Sequence, residues 1–347
     1  MSETLRIGII GAGGIATGEH IPNYLNCGNK IKIVAIADVV EERVKHVAEE
    51  YNIPHYFTDY EDMFQKVEID AVSVCTPNKF HAPATIAALQ AGCHVLCEKP
   101  PAMKIEEAEQ MAREAEKAKK ILTYGFHFRH KPEVEVLKRF VDGGELGEIY
   151  AARVLAIRRR GIPGWGVFTN KELQGGGPLI DIGVHMLDTA LYLMDYPIPD
   201  TVFGVTYQKI GNRKGVGLSG DWDWDNFSVE DMARGMITFK NGASILLETA
   251  FAANVEKQKE MNVKLMGDHG GADVFPLNIY QEKHHTLTDT TPKFLPKKGN
   301  HELEIERFVD ACLTGGQPLS TPHQGVIVQQ IINAIYQSAE TGKPVQL

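Results

Sequence analysis

The feature that most constrains the fold of this chain is a glycine-rich turn near its start. An apolar run over residues 5–10 is followed by Gly-Ala-Gly-Gly-Ile-Ala at 11–16, and a helical pattern comes next. In a strand–turn–helix unit, Gly11 permits the tight turn, Gly13 lets the backbone approach a pyrophosphate, and Ala16 allows close helix packing. The helix start offers free N–H groups and a positive dipole end to phosphates. The residues predicted to bind a dinucleotide here are Gly11, Gly13, Gly14 and Ile15.

A second apolar run carries information about the type of dinucleotide. It covers residues 31–37 and ends at Asp38, about 20 residues beyond the glycine turn, where such sites place an acid. A carboxylate accepts hydrogen bonds from the ribose hydroxyls and repels a 2′-phosphate, which predicts NAD in preference to NADP. Two alternatives remain: Arg43 could reach a phosphate, and Asp38 could cap the helix that begins near Glu41.

The order of predicted elements indicates two domains. Strand-like runs alternate with helical patterns as far as residue 124, which predicts a doubly wound parallel sheet, a Rossmann domain, over residues 1–125. Long strand-like runs then dominate, so residues 126–347 are predicted to form an α+β domain with a mainly antiparallel sheet. Parallel sheets bind ligands at the carboxyl ends of their strands. The polar residues at these ends are Asp38, Thr76, Asn78, Glu98 and Lys99.

Composition excludes several classes of partner. The net charge of −9 argues against nucleic acid and anionic membranes, which are bound by clustered Lys and Arg. The sequence shows neither a signal-peptide pattern nor a run of about 18 apolar residues, so the cytoplasm is expected. The five cysteines form no Cys-x-x-Cys and indicate reduced, buried thiols; no metal site is predicted, His284-His285 included.

Lys99 is the first candidate for chemistry. It follows an apolar strand and precedes Pro100 and Pro101, which fix the direction of the backbone. A partly desolvated ammonium at the edge of the sheet could hydrogen-bond to a substrate hydroxyl and favour its ionised form. The alternative is a solvated lysine that forms an ion pair with Glu98.

Asp181 and His185 are the second candidate. They lie four residues apart in an otherwise apolar helical pattern, which places both side chains on one face. An imidazole titrates near neutral pH and can accept a proton from a hydroxyl group, while a carboxylate one turn away can orient the ring. The alternative is a His–Asp pair buried in the core.

Taken together, the motifs resemble those of the Gfo/Idh/MocA family, the group of glucose–fructose oxidoreductases and inositol dehydrogenases. The order and spacing of these motifs agree with those of the family over nearly the whole chain. The segments that carry the resemblance are the glycine turn at 11–16, Thr76-Pro77-Asn78 with His81, Glu98-Lys99-Pro100, Asp181-x-Gly183-x-His185-x-x-Asp188 and the closing Ser338-Ala339-x-Thr341-Gly342-Lys343.

The resemblance implies roles for individual residues. Lys99, Asp181 and His185 match the family's catalytic lysine, aspartate and histidine, and they would also contact the substrate. The residues matching the nicotinamide half of the cofactor site are Thr76, Asn78, His81, Glu98 and Lys99. Arg129 matches a segment near the active site and is expected to contact the substrate. The family's second domain carries an open-faced sheet that forms subunit contacts, which implies a homo-oligomer, a dimer or a tetramer.

The identity of the substrate is less constrained. All three tryptophans, Trp165, Trp222 and Trp224, lie in the second domain near Gly/Pro-rich or Asp-rich segments. Their flat faces suit a sugar ring, with Trp165 the predicted substrate contact, although ordinary loop packing explains them equally well. Residues 158–160 are three arginines that could contact an acidic substrate or form a solvated strand end. A neutral sugar and a sugar acid both remain possible.

The function expected from this reasoning is an NAD-dependent dehydrogenase that oxidises a secondary hydroxyl group of a sugar, glycoside or cyclic polyol. Two alternatives use the same fold. One is a glycosidase that oxidises its substrate transiently and retains its NAD; the other is a regulator that senses nicotinamide without catalysis. The presence of Lys99, Asp181 and His185 argues against the regulator, because a sensor needs no proton-transfer pair.

Overall fold

A computed structural model describes residues 4–347 of the chain. They form two compact units. The first contains the residues up to 127 together with 298–326, and the second contains residues 128–297 and 327–347. The domain boundary expected at residue 125 stays a prediction.

The first unit is built on a six-stranded parallel sheet, as the alternating pattern predicts. The strand order is β3-β2-β1-β4-β5-β6, so the order reverses beside β1, the strand that precedes the glycine turn. Ligand crevices in open parallel sheets lie at such a reversal. The strands are β1 (Leu5–Ile10), β2 (Ile31–Ala37), β3 (His55–Phe57), β4 (Ala71–Val74), β5 (His94–Cys97) and β6 (Leu122–Tyr124).

The helices of the first unit pack against this sheet through apolar side chains. In the helix Ile105–Ala118, for example, Ala108, Met111 and Ala115 are buried, and this spacing of three and four residues places them on one face. The first five helices of the chain are α1 (Ile21–Asn26), α2 (Glu41–Glu50), α3 (Tyr60–Lys66), α4 (His81–Gln90) and α5 (Ile105–Ala118).

A helix from the C-terminal part of the chain completes this core. The helix Asn300–Thr314 contributes Ile305, Phe308 and Val309 to the cluster that contains Ile7 of β1 and Tyr24 of α1. Sequence periodicity predicts a helix here, but periodicity does not show which apolar cluster a helix joins.

The second unit contains a nine-stranded sheet in the order β14-β13-β12-β11-β7-β10-β9-β8-β15. Between the described strands of this sheet, only the pairing of β7 with β10 is parallel, so the sheet is mainly antiparallel as predicted. Its strands are β7 (Ile149–Arg158), β8 (Pro199–Tyr207), β9 (Met232–Phe239), β10 (Ser244–Ala250), β11 (Lys259–Gly267), β12 (Gly270–Asp273), β13 (Asn278–Lys283), β14 (Thr286–Thr290) and β15 (Val345–Gln346).

One face of this sheet carries exposed apolar side chains. Phe203, Met236 and Leu246 are aligned across the neighbouring strands β8, β9 and β10. Each of them is exposed, whereas alternate residues such as Ile237 and Ile245 are completely buried. The sheet therefore packs on the core with one face and leaves the other open.

The remaining helices are α6 (Pro132–Asp142), α7 (Lys171–Gln174), α8 (Val184–Leu193), α9 (Asn300–Thr314) and α10 (Pro322–Thr341). Within residues 4–347, none of the helices combines the length and the hydropathy that a membrane span requires.

Candidate active site

The glycine turn that follows β1 has the geometry its sequence predicts. Gly11 has a φ of +98°, and a Cβ atom placed there would lie 2.5 Å from the carbonyl oxygen of Cys75. At Gly13 and Gly14, by contrast, an added Cβ would meet no atom within 4 Å. The turn is therefore packed tightly against the end of β4 while open space lies beside its second and third glycines. These residues fit a dinucleotide whose pyrophosphate approaches the backbone at that point.

The helix after the turn begins irregularly. The segment Ala16–His20 is a π-helix that continues into α1, where the sequence predicts a regular helix from Ile15 to Leu25. Ala16 is completely buried, in agreement with its predicted role in close packing. Single π-helical turns of this kind are frequent at functional sites.

Asp38 joins the end of β2 to the glycine turn. Its Oδ2 accepts a hydrogen bond of 2.8 Å from the backbone N–H of Ala12, and its Oδ1 accepts one of 2.9 Å from Val40. The guanidinium Nη2 of Arg43 lies 2.7 Å from the same Oδ1. Burial alone would raise the pKa of Asp38, but the hydrogen bonds from Arg43, Ala12 and Val40 lower it below the usual value. The N-cap of α2 is Val40, so Asp38 is not the cap of that helix.

His81 links the two loops at the ends of β4 and β5. Its Nδ1 lies 2.7 Å from the carbonyl oxygen of Pro100, and its Nε2 lies 2.9 Å from that of Thr76. The ring is almost completely buried, as is Asn78 beside it. The hydroxyl oxygen of Thr76 is buried without a hydrogen-bond partner among residues 4–347, so a bound group could satisfy it.

Glu98, at the end of β5, belongs to a buried polar chain. Its Oε1 lies 2.9 Å from Nε2 of His20, and Nδ1 of His20 lies 2.9 Å from the hydroxyl oxygen of Ser73. The Tyr24 hydroxyl lies 2.8 Å from that same oxygen. Burial opposes charge on Glu98, yet its hydrogen bond and its attraction to His20 lower its pKa to about 2. Interactions with Cys75 and Glu98 similarly outweigh burial at His20 and raise its pKa well above the usual value.

Lys99 is held by its main chain to this buried carboxylate. Its backbone N–H donates a hydrogen bond of 3.1 Å to Oε2 of Glu98. The side chain of Glu98 is only 7% exposed, so the backbone hydrogen bond joins Lys99 to a buried group. Lys99 itself is partly buried, which is the setting that its proposed chemistry requires.

In the second unit, Asp181 and His185 lie on one continuous helical segment. Asp181 belongs to a π-helical turn, Leu179–Gly183, and His185 lies in the first turn of α8. Asp181 is partly exposed, whereas His185 is buried with its ring 5.1 Å from the ring of Phe128. As at the glycine turn, the π-helical irregularity falls on residues with a predicted function.

Glu230 fixes the start of this segment and lies in none of the sequence motifs. Its carboxylate accepts hydrogen bonds from the backbone N–H groups of Gly177 (2.9 Å) and Leu179 (3.2 Å) and from the Tyr336 hydroxyl (2.9 Å). Burial raises the pKa of Glu230 despite these donors. A Cβ atom at Gly176 would lie 1.9 Å from the Tyr336 hydroxyl, which explains the glycine there. No sequence signal marks Glu230, because its partners lie far away along the chain.

Arg129 is completely buried in an ion pair. Its Nε and Nη2 donate hydrogen bonds of 2.9 Å and 2.6 Å to the two carboxylate oxygens of Asp188 on α8. Tyr196 also hydrogen-bonds to both partners. This bidentate geometry anchors the segment before α6 to α8. The predicted contact between Arg129 and the substrate stays a prediction.

The tryptophans differ in their surroundings. The side chain of Trp222 is buried, and its Nε1 donates a hydrogen bond of 2.6 Å to the carbonyl oxygen of Gly211, which is ordinary loop packing. Trp165 is 59% exposed, with its ring 6.4 Å from the ring of Phe168 in an edge-on arrangement. Trp165 therefore has a free aromatic surface.

The predicted site residues thus form two groups. In the first unit, those at the carboxyl ends of the strands are Gly11, Gly13, Gly14, Ile15, Asp38, Thr76, Asn78, His81, Glu98 and Lys99. In the second unit, Asp181 and His185 share one helical segment, whereas Arg129 faces Asp188 in the interior and Trp165 lies on an exposed loop.

Two family models match the chain. Residues 5–126 match the Gfo/Idh/MocA model described as an oxidoreductase family with an NAD-binding Rossmann fold, and residues 138–347 match the corresponding C-terminal alpha/beta domain.

Individual proteins are similar over the full length. The chain is 44% identical over 346 residues to D-glucoside 3-dehydrogenase of Escherichia coli strain K12, covering 100% of this chain and 98% of that protein. It is 26% identical over 352 residues to myo-inositol 2-dehydrogenase of Thermotoga maritima, covering 99% and 98%. A solved levoglucosan dehydrogenase in complex with NADH has the same fold, with a TM-score of 0.86 at 22% identity over 99% of each chain.

Proposed function

Because the chain belongs to the Gfo/Idh/MocA oxidoreductase family, we propose that it is an NAD-dependent dehydrogenase that oxidises a secondary hydroxyl group of a sugar, glycoside or cyclic polyol. The observation that carries this proposal is that the chain combines a glycine turn open to a pyrophosphate with Lys99, Asp181 and His185. The full-length similarity to D-glucoside 3-dehydrogenase makes D-glucosides the first substrates to test, with oxidation at carbon 3.

The first unit would hold the cofactor. Gly11, Gly13, Gly14 and Ile15 would bind the pyrophosphate, and Asp38 would accept hydrogen bonds from the ribose. The residues that would line the nicotinamide half are Thr76, Asn78, His81, Glu98 and Lys99. When bound, the nicotinamide supplies the acceptor for the hydride that leaves the substrate carbon. NAD is favoured over NADP because the Asp38 carboxylate would repel a 2′-phosphate.

Side chains of the protein would accept the proton of the substrate hydroxyl. His185 would accept the proton of the substrate hydroxyl as the carbon is oxidised, and Asp181 would orient the imidazole and stabilise its charged form. Lys99 would hydrogen-bond to the same hydroxyl oxygen and stabilise its developing negative charge. Trp165 would offer its exposed ring to the apolar face of the sugar.

The test is NADH formation by the purified protein with methyl D-glucosides, free sugars and inositols. The Lys99→Ala variant is measured in parallel, with Lys32→Ala as the control because Lys32 is an exposed lysine of the same unit. We expect the wild type to turn over one class of compound. The Lys32→Ala control should retain this activity, and Lys99→Ala should lose it. Hydrolysis of a chromogenic glucoside without net NADH would contradict the dehydrogenase in favour of the glycosidase. Tight NAD binding without any turnover would contradict it in favour of the sensor.

A homo-oligomer, dimer or tetramer, is part of the same proposal. The exposed apolar row formed by Phe203, Met236 and Leu246 supports it, because soluble monomers rarely expose contiguous apolar surface. Sedimentation velocity should show more than one subunit in the wild type, and Leu246→Glu should dissociate it. The control is Leu287→Glu, a change at an exposed leucine of β14. A monomeric wild type would contradict this part of the proposal.

A further inference from the structure

A cleft of about 550 Å³ in the second unit is lined mainly by cations and neutral polar groups. It lies between the end of β7, the loop that follows β8 and the loop between β10 and β11. The polar residues that line it are Arg159, Arg160, Arg213, Lys214, Asn254 and Gln258, and none of its described lining residues is acidic. Four cations without a carboxylate are unusual in a chain whose net charge is −9.

Among the residues that the structure describes, no carboxylate forms an ion pair with Arg159 or Arg160. Arg160 donates to the carbonyl oxygens of Arg159 (2.7 Å) and Ala253 (3.1 Å) and to Oδ1 of Asn254 (2.5 Å). Arg159 donates to the carbonyl oxygen of Glu256 at 3.4 Å. These neutral acceptors hold the guanidinium groups in place but leave their charge uncompensated.

The other two cations of the cleft belong to an exposed loop. Within residues 4–347, neither Arg213 nor Lys214 forms an ion pair with a carboxylate. Cations nearby on the same sheet are paired, as Arg153 is with Glu248 at 3.1 Å. The cleft therefore differs from the surface around it.

Further cations lie at the neighbouring strand end. Lys259 pairs in register with Arg158 at the edge of the cleft, next to Gln258. The pKa of Lys259 is lowered by burial and, in addition, by repulsion from Arg158 and Lys131.

We propose that this cleft binds the phosphate group of a small phosphorylated organic molecule. Guanidinium groups held by backbone acceptors present several N–H donors in a fixed geometry, which suits the oxygens of a phosphate, and a dianion matches several cations better than one carboxylate does. The same cleft includes Val216 and Leu218, which are 74% and 55% exposed and offer apolar surface to the carbon skeleton of the ligand. This site lies beyond the proposed function, because it uses none of the residues assigned to the cofactor or to the proton transfer.

Calorimetric titration of the full chain saturated with NADH tests the proposal, with glucose 6-phosphate and AMP as probes, because bound NADH fills the proposed dinucleotide site that AMP would otherwise enter. Glucose and adenosine are the matched uncharged controls, and inorganic phosphate reports the anion alone. We expect at least one phosphorylated probe to bind 10-fold or more tightly than both its uncharged counterpart and inorganic phosphate, with affinity decreasing as salt is added. The probe that binds distinguishes a sugar phosphate from a nucleotide as the source of the phosphate.

The variant Arg213→Gln/Lys214→Gln should weaken this binding about 10-fold while the protein stays folded, because both side chains are exposed. The control Arg139→Gln/Lys240→Gln removes the same charge from exposed sites of the same unit and should leave binding unchanged. Three outcomes would overturn the proposal: equal weakening in both double variants, an affinity for inorganic phosphate equal to that for the phosphorylated probes, or no binding of either probe at millimolar concentration. None of these outcomes depends on whether the protein is a dehydrogenase, because binding is measured without turnover.

Discussion

Nε2 of His20 and Oε1 of Glu98 lie 2.9 Å apart in the interior of the first unit. The second carboxylate oxygen of Glu98 accepts the backbone N–H of Lys99. One buried ion pair thus connects the π-helical turn that follows the glycine turn with the loop that carries the proposed catalytic lysine. We assign His20 a positioning role, since it acts on Lys99 only through Glu98.

Removal of His20 should destabilise the protein strongly. The variant His20→Ala leaves the Glu98 carboxylate buried without its charged partner, which costs about 3–5 kcal/mol in the free energy of unfolding. Urea denaturation measures this, with His46→Ala as the control because His46 is exposed on α2. The control should change stability by less than about 0.5 kcal/mol. Similar losses in both variants would show that the pair does not stabilise the fold.

The same pair predicts how stability depends on pH. The pKa of Glu98 is lowered from 4.5 to about 2 in the folded state. Its contribution to the free energy of unfolding is therefore complete above pH 4.5 and is lost as the pH falls toward 2. The pKa of His20 is raised above 6.5, so its contribution is complete below pH 6.5 and is lost as the pH rises through the folded value. Urea denaturation at several pH values should show that the free energy of unfolding decreases more steeply at acid pH in the wild type than in Glu98→Gln. Parallel curves would contradict the assignment.

The Asp38–Arg43 contact predicts the cofactor preference. The variant Asp38→Ser removes the charge that repels a 2′-phosphate and releases Arg43, which is about half exposed, to contact that phosphate. We expect the ratio of the dissociation constants for NADP and NAD to fall at least 10-fold, measured by fluorescence titration. The double variant Asp38→Ser/Arg43→Ala should lose part of this gain. Preference for NADP in the wild type would show that the role given to Asp38 is wrong.

The residues proposed for proton transfer should affect turnover more than cofactor binding. The variants Lys99→Met and His185→Asn should each lower kcat by about 10²–10⁴-fold, because general acid–base and electrostatic contributions have this size. For His185→Asn, the dissociation constant for NAD should stay within about 3-fold of the wild type, since His185 is not among the proposed cofactor ligands. Near-normal kcat in both variants would refute the mechanism.

Arg129 and Asp188 should behave as a coupled pair. Arg129→Met leaves the Asp188 carboxylate buried and unpaired, with an expected loss of about 3–5 kcal/mol in the free energy of unfolding. The double variant Arg129→Met/Asp188→Leu should recover most of this loss, because apolar groups can replace a buried ion pair. A double-mutant cycle in urea measures the coupling. If the double variant is stable and keeps the wild-type KM, the predicted contact between Arg129 and the substrate is excluded.

Local sequence patterns were sufficient for the parts of the protein that depend on neighbouring residues. The glycine turn, the acid at the end of β2 and the spacing of Asp181 and His185 all depend on residues close together in the chain. The alternation of strands and helices similarly predicted the parallel sheet. Sequence patterns did not predict five strands of the second unit, namely β8, β12, β13, β14 and β15. Two of these lack the apolar alternation of a half-buried strand: β12, with two glycines among its four residues, and β14, whose five residues are mostly exposed.

The tertiary structure alone decided which distant groups meet. Glu98 and His20 are 78 residues apart in sequence, and Glu230 and Tyr336 are 106 apart, so no local pattern could pair them. The same holds for α9. Its apolar face packs in the core of the first unit, although the residues that precede it in the chain belong to the second unit. The sequence by itself determined what each segment can form, since propensity and periodicity are local. Packing determined which polar groups are buried together, because their partners are selected by contact in space.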